Sequence, residues 1–372
     1  ETMSHYSKMF STWCGLKGLD TKKHQMEGID WIMERELNPS LGPPGGFICD
    51  EMGLGKTIIT IAAMVLHPEA PNQHTLIVLP KSLLEQWTDC IARFIGIEPL
   101  IYHGSNYKKI TEEELKKSQI VITTYGMIAT RKKKDQEEEY KSLLWFKKWN
   151  RIIYDEAHYL RNKDTSVFKG AENLKANIKW MVTGTPINNR PRDFYNQCII
   201  QGVSECFTPK VDEIRAIIHD IVLKRTKKEV GIKLPNLIEK EIHVEWETQE
   251  EEKFVRNIHN LMSFTTVTVE NVDSVIQNLG AMMGQSISIL MLMKQSCVYP
   301  LLAQRALIKR AIDAGYDETP INQRLSYSKL SCVVNNIVKR KNSGKSKLVF
   351  CLFRDEMNAL KSMLNQKGIC SA

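Results

Sequence analysis

Residues 46–57, GFICDEMGLGKT, constrain this chain more than any other stretch, because an apolar run, a glycine turn, a lysine and a threonine fall within twelve residues. Gly53 and Gly55 let backbone N–H groups approach an anion closely, Lys56 reaches toward terminal phosphates, and the Thr57 hydroxyl is placed to ligate Mg²⁺. The apolar run TIITIAAMVL follows at once, as a helix whose positive N-terminal end faces the phosphates. The generic pattern asks for glycine at residue 50, where this chain has Asp50.

The text on either side alternates between strand and helix. Apolar residues Met26, Ile29, Ile32 and Met33 give one face of a helix from about Gln25 to Leu37, ended by Asn38-Pro39 and the linker LGPPGG. TLIVLP (75–80), EPLIYHG (98–104), QIVITTY (119–125), RIIYDEAH (151–158) and IKWMVTGTP (178–186) read as strands. Between them lie helical texts, with capping boxes expected at Ser82–Glu85 and Thr111–Glu114. This order predicts an α/β fold, a parallel sheet flanked by helices, with ligands at the carboxyl ends of its strands. The phosphate turn, Asp155-Glu156 and the Thr183-Gly184-Thr185 turn all fall at those ends, so one cleft is expected to hold them.

Beyond residue 186 the pattern lengthens into helices, PRDFYNQCII and DEIRAIIHDIVLKRTKKEV, with a domain boundary expected near 235. The remainder, 236–372, reads as a helical region in which EKEIHVEWE (239–247) and KLVFCLF (347–353) alternate or cluster as strands do, with Thr248 capping a helix. The charge run RKKKDQEEEYK (131–141) reads as a solvated segment.

Composition narrows the class without naming the chemistry. With 42% hydrophobic and 25% charged residues, and no apolar run near the ~20 residues that span a bilayer, the chain reads as globular, with neither a membrane span nor a secretory leader. Nine scattered cysteines with no C-x-x-C pair suit reduced thiols inside a cell and offer no structural zinc spacing. A net charge of +8 permits a polyanionic partner.

Hydrolysis of a nucleoside triphosphate needs a phosphate cradle, Mg²⁺ and a base to align water. At the end of an apolar strand, Asp155 suits the metal shell and Glu156 the orientation or deprotonation of the attacking water. Taken together with Gln25 in KKHQMEGIDW, DEMGLGKT, LPKSLLEQW (79–87), YHG (102–104), VITTY (121–125), TGTPINN (183–189) and LKRTK (223–227), these stretches resemble the SNF2 family of helicase superfamily 2 over residues 19 to about 360. In appearance they are most similar to the Rad5/Rad16 branch.

The resemblance implies a RecA-like first lobe over 1–235, then a helical insertion and the start of a second RecA-like lobe over 236–372. It implies a motor that uses ATP and Mg²⁺ to translocate on double-stranded DNA in the nucleus, with nucleosomes or other DNA-bound proteins among its partners. Gln25, Asp50, Glu51, Met52, Gly53, Leu54, Gly55, Lys56 and Thr57 would bind ATP, with Thr57 and Asp155 on the metal and Lys56, Asp155 and Glu156 in catalysis. His158, Thr183, Gly184 and Thr185 would couple nucleotide state to the track, and Lys81, Ser82, Thr123 and Thr124 would touch DNA phosphates.

The family's fifth and sixth motifs, with their catalytic arginines, are not found after KLVFCLF, which leaves Arg225 and Arg354 as the arginines to consider for that role. No RING module, bromodomain or chromodomain is recognisable. The literal DEAH string also suggests an RNA helicase, although such enzymes carry S-A-T where this chain has TGTPINN, and a non-catalytic DNA-binding scaffold is the alternative of another class.

Overall fold

The computed structural model describes residues 3–40, 42–68, 70, 73–130, 142–203, 218–260, 283–313, 315 and 324–371. The charge run at 131–141, the first part of the helix expected from residue 212, and most of the polar stretch around 316–323 lie outside them. The chain divides into two compact units, Glu1–Asn236 and Leu237–Ala372.

Seven parallel strands form the sheet of the first unit. They are β1 (Gly45–Ile48), β2 (Thr75–Leu79), β3 (Leu100–Tyr102), β4 (Ile120–Thr124), β5 (Lys148–Asp155), β6 (Lys175–Val182) and β7 (Val222–Leu223), in the spatial order β3-β4-β2-β5-β6-β1-β7. Side chains alternate across each strand, so neighbouring residues enter opposite cores. Phe47, Leu76, Val78, Ile152, Tyr154 and Met181 face one core with Phe168 and Phe194, while Ile48, Ile77, Leu79, Ile153, Trp180 and Val182 face the other. Both faces are apolar because helices cover both, which is why the strands read as continuous hydrophobic runs.

The second core is closed by helices α1 (His5–Leu16), α2 (Lys23–Leu37), α3 (Lys56–Leu66) and α4 (Leu84–Phe94) through Phe10, Ile29, Ile59 and Trp87. The first core is closed largely by short helices at Leu143–Phe146 and Ser166–Glu172 and by α5 (Arg192–Gln201). Helix α1 was not anticipated. Its signal is only Ser7, Phe10 and Trp13-Cys14 on one face, and it is held by Ser4 as N-cap and by Ser4 and Ser7 hydroxyls donating to Asp30.

Below the sheet, Glu36 at the end of α2 accepts two bonds from Arg151 (2.8 and 2.6 Å) and one from the Trp180 indole (2.7 Å), and it meets His67 Nδ1 at 2.5 Å. Arg35 donates to Gly45 O, Pro43 O and Asp220. These side chains fasten α2 to the start of β1 and to β5.

Four expectations are corrected. Residues 222–223, expected within a helix, form the edge strand β7, because the exposed edge of β1 offers unpaired groups: Phe47 and Ile48 lie opposite Val222 and Leu223, and Cys49 N–H donates to Leu223 O. The capping box at Ser82 does not form. Leu83 N–H donates to Pro80 O, a 3₁₀ turn over Lys81–Leu83 opens the segment, and Ser82 sits inside that turn rather than at a cap. The box at Thr111–Glu114 forms in both directions.

Residues 239–247 and 347–353 belong to no ladder: Ile242, Val244, Leu348 and Val349 line one cavity beside the helix at 328–339, but the two segments make no strand pairing among the described residues. Leu348, Phe350 and Leu352 are accordingly exposed. The described part of the second unit is helical: α6 (Gln249–Asn260), α7 (Met283–Val298), α8 (Pro300–Asp313), α9 (Ser328–Lys339) and α10 (Arg354–Gln366). It holds two small apolar clusters, around Ile258, Leu292 and Ala303 and around Val334, Leu360 and Leu364. Thr248 Oγ1 accepts from Glu251 N–H as a cap, while the buried Glu251 carboxylate turns to Ser326 and Ser328.

Candidate nucleotide and nucleic-acid site

The sheet order brings the chemistry-bearing ends together. Strands β5, β6, β1 and β7 are successive neighbours, and from their carboxyl ends come Asp155-Glu156, the Thr183–Thr185 turn, the phosphate turn and Arg225. Lys81-Ser82 and Thr123-Thr124 emerge from β2 and β4 on the other side of β5, along the same edge.

Between β1 and α3 the chain needs two left-handed residues, Gly53 (φ 89°) and Gly55 (φ 88°). A Cβ on Gly55 would also lie 2.3 Å from Gln25 Nε2, so a larger residue would have to displace that buried amide as well as adopt a left-handed backbone. Gln25 is buried against the turn, its amide 3.5 Å from Leu54 O, and His24 Nε2 meets the same carbonyl at 3.1 Å. Met52 and Gly53 are exposed at the tip, and Leu54 is buried beneath. Lys56 Nζ donates to Asp50 O at 2.8 Å, and Thr57 is the second residue of α3, half-buried. The Thr183 turn closes over this: a Cβ built on Gly184 would stand 3.4 Å from Met52 and 3.5 Å from Lys56 Nζ.

Asp50 is where the generic glycine would be, and the structure supplies its partner. The carboxylate is fully buried and takes Nε and Nη2 of Arg225, whose Nη1 donates to His24 O. Glu51 N–H donates to Arg225 O at 2.9 Å, while the Lys227 amide and ammonium both bind the Glu51 carboxylate and hold it below its ordinary pKa. Asp50 and Glu51 are therefore supports of the turn, and Arg225 is committed to Asp50 rather than held out toward a terminal phosphate.

At the end of β5, the Asp155 carboxylate accepts from the Trp87 indole at 2.7 Å and from Glu156 N–H at 3.1 Å. Burial pushes its pKa up to about 6 against the Trp87 bond, which draws it down. Glu156 is the only non-glycine with positive φ among the described residues (51°), a strained conformation that turns its carboxylate out of the strand. His158 Nδ1 lies 3.1 Å from Glu156 Oε2 and 3.3 Å from Thr183 Oγ1, and Thr183 Oγ1 in turn accepts from Thr185 N–H. His158 thus bridges Glu156 and the Thr183 turn.

The four expected phosphate contacts divide. Lys81 and Ser82 are exposed at the head of α4. Thr123 is fully buried with its hydroxyl donating to Tyr102 O (2.9 Å), and the nearly buried Thr124 hydroxyl meets His103 Nδ1 (3.1 Å), so neither side chain is presented to an external phosphate. Trp87, Tyr125 and Lys227 are the contributors that motif reading missed, and Arg225 was named without its partner Asp50; all lie in quoted motifs, but their partners are 30 to 176 residues away.

The donor set suits Mg²⁺ and a nucleoside triphosphate. Oxygen groups come from Thr57 and Asp155, a cation from Lys56, and left-handed glycines at 53 and 55 shape the turn between them.

Among known proteins, the SNF2-related domain matches residues 24–302. A probable global transactivator of Orgyia pseudotsugata multicapsid polyhedrosis virus is 29% identical over 297 residues, covering 76% of this chain and 57% of that protein. The DNA repair protein RAD5 of Eremothecium gossypii is 32% identical over 260 residues, covering 54% of this chain and 24% of that protein. A solved Sulfolobus solfataricus SWI2/SNF2 ATPase core in complex with dsDNA is 22% identical, with 94% of this chain and 70% of that one covered at a TM-score of 0.48. The chain spans 57% of the viral relative and about a quarter of the Eremothecium one. Because the SNF2-related domain accounts for most of its length, the chain belongs to the SNF2 family of helicase-superfamily ATPases.

Proposed function

We propose that this chain is the nucleotide-binding part of an ATP-dependent motor that translocates on double-stranded DNA, working in the nucleus on nucleosomes or other DNA-bound proteins. The observation that carries the reading is the cluster at the ends of β5, β6 and β1: His158 lies within reach of both Glu156 and Thr183, and Gly184 lies against Lys56.

In this reading Lys56 and the amides of the turn bind the phosphates, and Thr57 and Asp155 hold Mg²⁺. Glu156 orients water, and Gln25, buried against the turn, reads the base. Mg²⁺ held by Thr57 and Asp155 would supply positive charge to offset that of the phosphates. His158 and the Thr183–Thr185 turn relay the state of the nucleotide. Lys81 and Ser82 hold the duplex backbone, where contacts carry no sequence information.

The experiment is steady-state phosphate release with duplex DNA, single-stranded DNA and RNA. Stimulation by duplex DNA is the expected result. Stimulation by RNA alone would replace the reading with an RNA helicase, and no turnover with any nucleic acid would leave a binding scaffold.

A further inference from the structure

Two segments are expected to meet the track, one through the exposed Lys81 and Ser82 and the other, since the Thr123 and Thr124 side chains turn inward, through its main chain; both send a buried side chain back into the DEAH segment. Six residues beyond Lys81, Trp87 is 1% exposed and its indole N–H donates to the Asp155 carboxylate at 2.7 Å. Directly after Thr124, Tyr125 is 3% exposed and its hydroxyl donates to the main-chain carbonyl of the same Asp155 at 2.8 Å. The Tyr125 ring also stacks on Tyr159, the neighbour of His158, at 4.8 Å between centroids and 5° between planes. One aspartate, expected to hold the metal, is therefore grasped from two directions by elements expected to lie under the nucleic acid.

We propose that Trp87 and Tyr125 are positioning residues through which contact with a nucleic-acid backbone at the heads of α4 and of the turn after β4 is transmitted to Asp155. The inference rests on the nucleotide and duplex reading above and assigns it a route. The physical argument is geometric. Lys81 and Trp87 belong to one short 3₁₀–α segment, so a displacement of its exposed head moves the indole at its buried face. The indole has one N–H, and in this structure that donor is spent on Asp155. A small shift would lengthen a bond whose acceptor is buried, and there an unsatisfied partner is costly. Tyr125 carries the corresponding constraint from β4, at the backbone rather than at the carboxylate. Two sites linked in this way must influence each other reciprocally: duplex binding alters nucleotide affinity by the same factor by which nucleotide alters duplex affinity.

The test measures that factor on the full chain. Duplex affinity is titrated with and without Mg²⁺ and a non-hydrolysable ATP analogue, for the wild type, Trp87→Phe, Tyr125→Phe and the double variant. Tyr125→Phe removes one hydroxyl and keeps the ring stack, so it tests the route even if Trp87→Phe folds poorly. The wild type is expected to show a factor of about 5 or more, the usual scale of such couplings. In each single variant the factor should fall toward 1, while duplex affinity without nucleotide stays within about twofold of wild type, since neither side chain faces the track. A merely structural role would weaken duplex binding equally with and without nucleotide, and that result overturns the proposal. Full retention of the factor in both single variants overturns it as well. A wild-type chain that binds neither duplex nor nucleotide would instead bring down the functional reading and the inference with it.

Discussion

At the scale of single residues, Lys56 and Glu156 should be separable. Lys56→Ala removes the cation at the mouth of the turn and is expected to weaken nucleotide binding. Glu156→Gln keeps the shape and loses the base, so binding should survive while turnover stops, a loss of ~10²-fold or more. Titration of a fluorescent ATP analogue beside phosphate release distinguishes them, and equal loss of binding in both would refute the roles. Asp155 carries a cost for its place. Its pKa is raised from 3.8 to about 6, chiefly by burial, so the folded state binds its proton more tightly than the unfolded state does. Its contribution is full below about pH 4 and is lost as pH rises through about 6. In the metal-free chain at pH 8 the ionised group should therefore destabilise by up to about 3 kcal/mol. Asp155→Asn is expected to raise the melting temperature in EDTA at pH 8, to do little at pH 4, and to abolish Mg²⁺-dependent nucleotide binding. A thermal scan at the two pH values checks the sign.

At the scale of elements, the two-residue strand β7 matters more than its length suggests, because it delivers Arg225 to Asp50. Arg225→Ala would leave a fully buried carboxylate without its cation, which typically costs about 3 kcal/mol or more. The phosphate turn should loosen with it, lowering nucleotide affinity. Were Arg225 a catalytic arginine, turnover would fall while binding held; urea unfolding combined with nucleotide titration separates the two outcomes. Helix α2 presents the opposite electrostatic case to Asp155. Burial alone would raise the Glu36 pKa, yet Arg151, His67 and Trp180 overcome it and hold the carboxyl at about 2, below its ordinary 4.5. Glu36 thus contributes stability that is present above about pH 4.5 and lost as pH falls toward 2. Glu36→Gln should destabilise at pH 7 by about 3 kcal/mol or more and should flatten the acid limb of the curve of denaturation midpoint against pH.

At the scale of the whole molecule, the net charge of +8 and the exposed Lys81 at the upper edge of the sheet predict duplex binding with little sequence preference and a steep loss with salt. Lys81→Ala should weaken binding uniformly across sequences and reduce the magnitude of the salt slope by about 1. Fluorescence anisotropy over a salt series measures both, and a flat salt dependence would contradict a phosphate track. No helix among the described residues is long and apolar enough to cross a membrane.

The division between sequence and tertiary structure follows the range of each signal. Periodicity and turn chemistry are written within about ten residues, so β2, β4, β5, β6, helices α2 to α4, the glycine turn and the Thr111 cap were legible, as was the gathering of Asp155, Thr183 and Lys56 at strand ends. What depends on a partner far along the chain was not. A two-residue strand has no period and exists because β1 has a free edge, and the alternating text at 239–247 enters no ladder among the described residues. Thr123 reads as a polar residue at a strand end and is buried because Tyr102 O receives its hydroxyl. The resemblance accounted for Asp50 in place of glycine as the family's form of the turn, but not for its partner Arg225, 175 residues later, and nothing near Trp87 names Asp155 as the acceptor of its indole. The residue types that do the chemistry were determined by the sequence alone. Which of them are held, by whom and at what pKa was decided only when the folded sheet brought distant side chains into one low-dielectric edge, where pairing governs energy.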